Sequence, residues 1–472
     1  MGRGKELFKN TAIFAVGEVT IKIIQFLLLP LITRKIALND FGESENWMAL
    51  IELLFPILTL GISDSIFRFS IGKDNSKAKA AFSTGIFIFI TTSAFFVLGV
   101  LIYFINRNLQ YYLLIIFLYF SIVLNNFFSQ YLRAIKRLKI YISGGILKVL
   151  GLALVLWILF YRVRYTKYSY LLAIVISNYF SILFWVVFGK LYKELKFKEI
   201  NVNLFKRMVK YSLPLIPNML SWWIIQTLNR YIVTYYHGDA SNGLYISTLK
   251  IGAIITAFSV VFMQAWTISA VEAKKDEDRS VFNTMVYGAF NAFIKIGTSL
   301  LLIALFPIAK FLLRGEFFEV WRYSSFSIIM ASYACYAAFY GVFYGVEMKS
   351  LKNFLSTFIS AIVSAIFSIS LIPKFGIQGA LYSGVIAYAF LSVYRCFDTK
   401  KYSNIEIPYV KNIVTHILLL CSAFSNIYLY VAGEWIVYAV QACSVILITL
   451  LYLKDLKFLF LIFKGIIKKG EK

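Results

Sequence analysis

The chain has 472 residues, of which 60% are apolar and 15% charged, with a mean hydropathy of +0.75 and a formal net charge of +25. Soluble domains average roughly 45–50% apolar and about 25% charged, so this composition excludes a soluble globular enzyme and fits one continuous bundle in lipid. Seven prolines and no low-complexity tract leave little room for linkers.

A membrane span needs about 20 mostly apolar residues. On that scale the chain predicts fourteen helical spans: 11–33, 47–67, 81–105, 111–131, 140–161, 168–189, 211–236, 244–270, 282–309, 323–346, 354–372, 377–394, 413–432 and 435–453. The basic N-tail, Met1 to Lys9, leads straight into the first of them. That stretch is too long for a signal-peptide core and carries no small-residue cleavage site, so it reads as a retained span. The eleventh and twelfth spans are separated only by Pro373-Lys374-Phe375-Gly376, where proline and glycine together predict a turn. After the last span, Asp455 to Lys472 alternates Phe, Leu and Ile clusters with lysines and reads as a surface-lying amphipathic helix.

With the N-terminus inside, inner segments would hold 33 Lys and Arg and outer loops 9, with 6 inside spans. Basic residues resist translocation, so this split predicts both termini on the cytoplasmic side and an even number of spans. It also accounts for most of the basic charge as topology signals beside anionic lipid, and no nucleic-acid role is expected. Cys335, Cys396, Cys421 and Cys443 lie in or beside apolar runs, none spaced C-x-x-C, and the only histidines are His237 and His416. Neither a disulfide framework, a metal site nor a cofactor is expected. The loops hold no Walker A, G-x-S-x-G, H-E-x-x-H or dinucleotide pattern and are too short for a catalytic domain, so no catalytic residues are assigned.

Charged groups at membrane depth are costly and each is a functional candidate. Lys22 and Lys295 lie about a dozen residues from the inner ends of their spans, near mid-bilayer at 1.5 Å per residue. Lys148, Lys250 and Lys310 lie close enough to a boundary to snorkel. In the first span Glu18, Lys22 and Gln25 share one helix face. In the seventh, Trp222, Gln226, Asn229 and Arg230 form a similar stripe. A polar stripe must face protein or water, never lipid, so Lys22, Lys295, Arg230, Gln25, Gln226, Trp222 and Asn229 are the expected lining of an aqueous cavity. Its basic members suit an anionic head group, and Trp222 suits a sugar ring. Glu18 and Glu52 are candidates for ion coupling. The plainer alternative pairs Glu18 with Lys22, and Asp64 with Arg68, each at i+4 as local packing devices. Pro30, Pro56, Pro214, Pro217 and Pro307 fall within or at the ends of spans, where they kink helices.

Arg34 precedes Gly42 by eight residues in "TRKIALNDFG", and Arg230 precedes Gly238 by eight in "NRYIVTYYHG". Six spans separate these stretches, the pattern of a parallel repeat. The segments "NTAIFAVGEVTIKIIQFLLLPLITRKIALNDFG", "LTLGISDSIFRF" and "YSLPLIPNMLSWWIIQTLNRYIV" resemble the polysaccharide-transporter branch of the multidrug/oligosaccharidyl-lipid/polysaccharide exporter superfamily, which includes O-antigen and capsule repeat-unit flippases. The resemblance implies an all-α polytopic fold with an N-terminal lobe over 1–210, a C-terminal lobe over 211–400, and two peripheral spans plus tail over 401–472. It implies a central cationic cavity that includes Lys22 and Arg230. The implied activity is flipping of polyprenyl-diphosphate-linked oligosaccharide from the inner to the outer leaflet of the bacterial cytoplasmic membrane. The partners it implies are the lipid-linked oligosaccharide, membrane lipids and polysaccharide-assembly membrane proteins. Three other readings stay open: an ion-coupled multidrug exporter of the same superfamily, a membrane glycan polymerase, and a non-transporting scaffold.

Overall fold

The computed structural model describes residues 17–71, 75–103, 109–162, 166–275, 277–428 and 433–455. The basic N-tail, the start of the first span and the amphipathic tail beyond Asp455 lie outside the described residues. The described chain is helical: α1 (17–27), α2 (Leu29–Thr33), α3 (Leu38–Leu58), α4 (Ile62–Ser70), α5 (Asn75–Tyr103), α6 (Leu109–Ala134), α7 (Leu138–Arg162), α8 (Lys167–Val187), α9 (Val202–Ser212), α10 (Ile216–Glu272), α11 (Arg279–Ile303), α12 (Leu305–Leu312), α13 (Val320–Val346), α14 (Ser350–Ser403), α15 (Tyr409–Tyr428) and α16 (Glu434–Leu451). Among the described residues, nine helices are long and apolar enough to cross a membrane, or ten if the bent pair α3–α4 is one span.

Two of these helices each hold two predicted spans. A straight helix of 57 residues would run about 85 Å, nearly three hydrocarbon cores. α10 is instead broken at Gly238, with φ 80° and ψ 170°, and α14 at Gly376, with φ 56° and ψ −129°. Only glycine enters such backbone regions without strain. The Pro373–Gly376 turn is therefore present as expected. The break at Gly376 leaves the Ile372 carbonyl without its helical donor, and the His237 Nε2 atom lies 2.8 Å from it.

The second span differs from its prediction of 47–67. The helix begins at Leu38 and ends at Leu58, where Leu60 (φ 52°) and Gly61 (φ 63°) turn left-handed and α4 departs at 60°. Gly61 and the polar run Ser63-Asp64-Ser65 mark the turn, but a count of apolar residues over a window of about 20 residues absorbs them. The i+4 pairs expected as local packing devices are not formed. Glu18 instead accepts a hydrogen bond from Tyr141 at 2.6 Å. Asp64 has Arg133 as its neighbouring charge, and no ion pair joins it to Arg68.

By packing, the chain forms two compact units, Met1–Thr234 with Gly238–Gly243, and Tyr235–His237 with Leu244–Lys472. In the first unit, Phe82 stacks on Tyr131 at 4.2 Å and Phe96 on Tyr119 at 4.0 Å within a buried aromatic core. The first half of α10 packs there too: Trp223 Nε1 donates to Ala49 O at 3.0 Å, and Tyr231 donates to Asn46 O at 2.8 Å. Gly42 is required because a Cβ there would sit 1.9 Å from Asp239 O. Gly42 and Gly238, the paired glycines of the suspected repeat, thus serve different ends, close approach in one case and a positive φ in the other. Glu194, buried, receives Arg137 at 2.9 Å and Lys79 at 3.5 Å.

In the second unit, α13 and α14 pack along small residues. Ser356, Ser360, Ser364 and Ser368 repeat every four residues on α14 and are wholly buried. Ser360 Oγ donates to Ala387 O at 2.9 Å, and Ser368 Oγ to Ser383 Oγ at 3.2 Å, across the two halves of α14. Arg395, placed in a loop over 395–412 by sequence, is inside this packing at 2% exposure because α14 continues to Ser403. Its guanidinium donates to Ser356 Oγ (3.0 Å), Ala337 O (2.9 Å), Thr357 Oγ1 (2.9 Å), and Asn353 Oδ1 (2.7 Å). Glu347, in the turn after α13, pairs with Arg279 at 2.9 Å and Lys274 at 3.2 Å. Burial acts to raise its carboxyl, but these two partners prevail and hold it below the usual carboxylate range.

Candidate functional site

The first unit carries the polar stripe of the seventh span. Arg230 is half-buried, with Nη1 3.7 Å from Glu45 Oε2, a loose ion pair. Its Nε is buried and has no hydrogen-bond partner. Tyr170 donates to the other Glu45 oxygen at 3.4 Å. Glu52 lies within electrostatic reach of both Arg230 and Glu45, and its side chain is exposed. The structure therefore groups Arg230, Glu45, Glu52 and Tyr170. Within the stripe, Gln226 is exposed, Trp222 is half-buried, and Asn229 is 1% exposed. Asn229 turns into the packing and cannot line open space in this conformation.

Lys22 is half-buried on α1, and Gln25 is exposed one turn later. With Glu18 held by Tyr141, no carboxylate among the described residues neutralises Lys22. The helix that carries it packs on α7: a Cβ on Gly145 would lie 2.7 Å from Ile21. Lys22 and Arg230 thus belong to the same compact unit, each with donor atoms left over.

Lys295 stands apart. It is 0% exposed in the second unit, where its Nζ has one contact, 3.4 Å to the backbone oxygen of Asn412. In this conformation it offers no atom to a ligand. Among the described residues no group of His, Cys, Asp and Glu is arranged to hold a metal ion.

Glu45 is the residue that sequence reasoning missed. It precedes the predicted start of the second span at 47, so it reads as a loop residue. The signal was present: Glu45 and Glu52 are seven apart and share a helix face once α3 is known to begin at Leu38. Asn46 is a second such residue. Its Nδ2 donates to Thr234 Oγ1 at 2.8 Å and Asp239 Oδ1 at 3.0 Å, while its Oδ1 accepts from Asn242 at 2.8 Å.

The chain matches the family described as polysaccharide biosynthesis protein over residues 7–268. An uncharacterized membrane protein of Haemophilus influenzae is 25% identical over 264 residues, covering 55% of this chain and 64% of that protein. The match thus spans a little under two thirds of the relative's length. Among solved structures, the lipid II flippase MurJ in an inward closed conformation is similar with a TM-score of 0.62 and 14% identity, over 97% of this chain and 100% of that one. An inward-facing multidrug resistance MATE transporter of the MOP superfamily is similar with a TM-score of 0.59 and 12% identity, over 83% and 100%. At those identities the likeness concerns the fold, which is the all-helical fold of MATE and MurJ. The chain belongs to the polysaccharide biosynthesis protein family and is a multi-pass helical membrane protein with the all-helical fold seen in MATE and MurJ.

Proposed function

We propose that this protein is a flippase that carries polyprenyl-diphosphate-linked oligosaccharide repeat units from the inner to the outer leaflet of the bacterial cytoplasmic membrane, for surface polysaccharide synthesis. Both termini would be cytoplasmic, and two six-helix lobes would move against each other, with spans 13 and 14 peripheral. The observation that carries this reading is Lys22, a half-buried ammonium within a span that has no carboxylate partner among the described residues. An unpaired cation at that depth is costly unless water or an anion meets it. A diphosphate supplies such an anion, and charge-assisted bonds to phosphate oxygens are the stronger kind. Arg230, with one unused buried N–H, would add a second donor, and Gln25, Gln226 and Trp222 would contact the sugars. Glu52, within electrostatic reach of Arg230, and Glu18 would be the carboxylates that respond to an ion gradient.

The test replaces Lys22 and Arg230 singly with Ala and follows surface polysaccharide together with lipid-linked repeat units in the membrane. Losing one charge-assisted contact of about 1.5–3 kcal/mol should weaken head-group binding about 10- to 100-fold. Surface product should fall while the lipid-linked precursor accumulates. Undiminished surface product at normal protein levels in both variants would refute the proposal.

A further inference from the structure

In the second unit an amine is enclosed by groups that have already spent their hydrogen bonds on one another. Lys295 is fully buried, and its Nζ meets only the Asn412 carbonyl at 3.4 Å. That oxygen also accepts from Thr415 Oγ1 at 3.0 Å. The side chain of Asn412 is used as well: Oδ1 accepts from Asn291 at 2.6 Å, and Nδ2 donates to Tyr287 at 2.8 Å. Tyr336 donates to the remaining Asn291 oxygen at 2.6 Å. An ammonium brings three donors and no acceptor. Here it would find one long bond to a shared oxygen, and a buried charge so poorly compensated is expensive. A neutral amine needs less and has a lone pair to offer.

His416 on α15 is the titratable group whose charge reaches Lys295; Tyr333 and Tyr336 on α13 lie against its ring, Tyr452 on α16 accepts from Asn291 one turn before Lys295, and no carboxylate among the described residues pairs with the amine. His416 is one turn beyond Asn412. Its ring stacks on Tyr333 at 5.0 Å with a 13° interplanar angle, it lies within electrostatic reach of Lys295, and it is half-buried where the lysine is sealed.

We infer that Lys295 is a proton-binding site whose occupancy depends on conformation, with His416 as the group that passes the proton to and from it. A proton from the aqueous phase would reach the imidazole and then the Nζ lone pair. Only N–H bonds form and break, and the proton returns to water when the surroundings change. The packing described here suits the amine form, so the ammonium form requires a second arrangement of α11 and α15 that admits water. A site with different proton affinity in two conformations couples proton binding to the change between them. This supplies the ion coupling that the flippase reading requires and rests on that reading for its purpose, although the site itself does not.

The test uses the full-length chain in lipid nanodiscs, labelled with nitrogen-15 at the lysine side chains. The Lys295 resonance is identified by its loss in Lys295→Met, or, if that variant does not fold, by its selective displacement in His416→Ala. Free lysine titrates near ~10.4, so between about pH 6 and about pH 9 ordinary lysines remain ammonium. The expected result is one lysine that moves from ammonium to amine within that window. A Lys295 resonance that stays ammonium throughout overturns the inference. No substrate enters this measurement, so its failure leaves the flippase reading standing, and failure of the Lys22 and Arg230 test leaves the proton site standing. In cells, Lys295→Arg holds a permanent charge and should lower surface polysaccharide at normal protein level; wild-type output from that variant also overturns the inference.

Discussion

Replacing Arg395 with Met keeps most of the aliphatic stem and removes every donor of a buried guanidinium. One acceptor then loses its partner outright, Asn353 Oδ1 at 2.7 Å; Ala337 O, inside α13, keeps its own helical donor, and the Ser356 and Thr357 hydroxyls can still donate to the Asn353 carbonyl. Loss of a charge-assisted bond that leaves an acceptor unpaired costs about 1–3 kcal/mol. For a unit of this size that corresponds to about 2–12 °C in thermal midpoint, readable by intrinsic fluorescence or calorimetry in detergent. Gly341 gives an internal control. A Cβ there would sit 2.6 Å from Arg395 Nη1, so Gly341→Ala should itself cost about 1–3 kcal/mol. In the Arg395→Met background that clash has no partner, and the second substitution should be nearly neutral. The non-additivity is the signature of direct contact. A midpoint for Arg395→Met within about 1 °C of wild type, or strictly additive losses in the double variant, would refute the reasoning.

Two further outcomes follow from the geometry. Gly42→Ala places a methyl 1.9 Å from the Asp239 carbonyl, which is backbone and cannot swing away, so a loss of about 3 kcal/mol or more is expected; an unchanged unfolding midpoint would show that α3 does not make this approach. Glu347 is held below its ordinary range by Arg279 and Lys274, so its contribution is present above the unfolded value near ~4.3 and is lost as pH falls through the folded one. Because the side chain is partly exposed, the contribution is about 1 kcal/mol or less. The gap in midpoint between wild type and Glu347→Gln should therefore close in acid, and a gap that persists there would contradict the pairing.

Helical spans were legible because lipid forces a simple rule on composition: about 20 apolar residues in a row, interrupted where the backbone must leave. Pro373 and Gly376 announced their turn in the same way. The bend at Leu60–Gly61 was passed over, since a window long enough to define a span averages Gly61 and Ser63-Asp64-Ser65 into their apolar flanks. Lys22 and Lys295 were equally conspicuous in sequence, yet one is half-buried with no carboxylate partner among the described residues while the other is sealed against Asn412. Periodicity gives depth along a helix and says nothing of what the neighbouring helix contributes. Glu45 shows the complementary failure: a span boundary drawn at 47 places the partner of Arg230 in a loop. Arg395 was lost for the same reason at the other end, where α14 outlasts its apolar stretch.

The serine seam of α14 bears on how such a chain is made. Hydroxyls at Ser360 and Ser368 bond to the returning half of the same helix, so this hairpin meets part of its polar demand from within itself, while Ser364 Oγ stays buried without a hydrogen bond. Small residues also let its two arms meet backbone to backbone, which is how helices associate where no water drives them together. The two arms can therefore register against each other through Ser360 and Ser368 as soon as both are in the bilayer, with no other helix needed for those bonds.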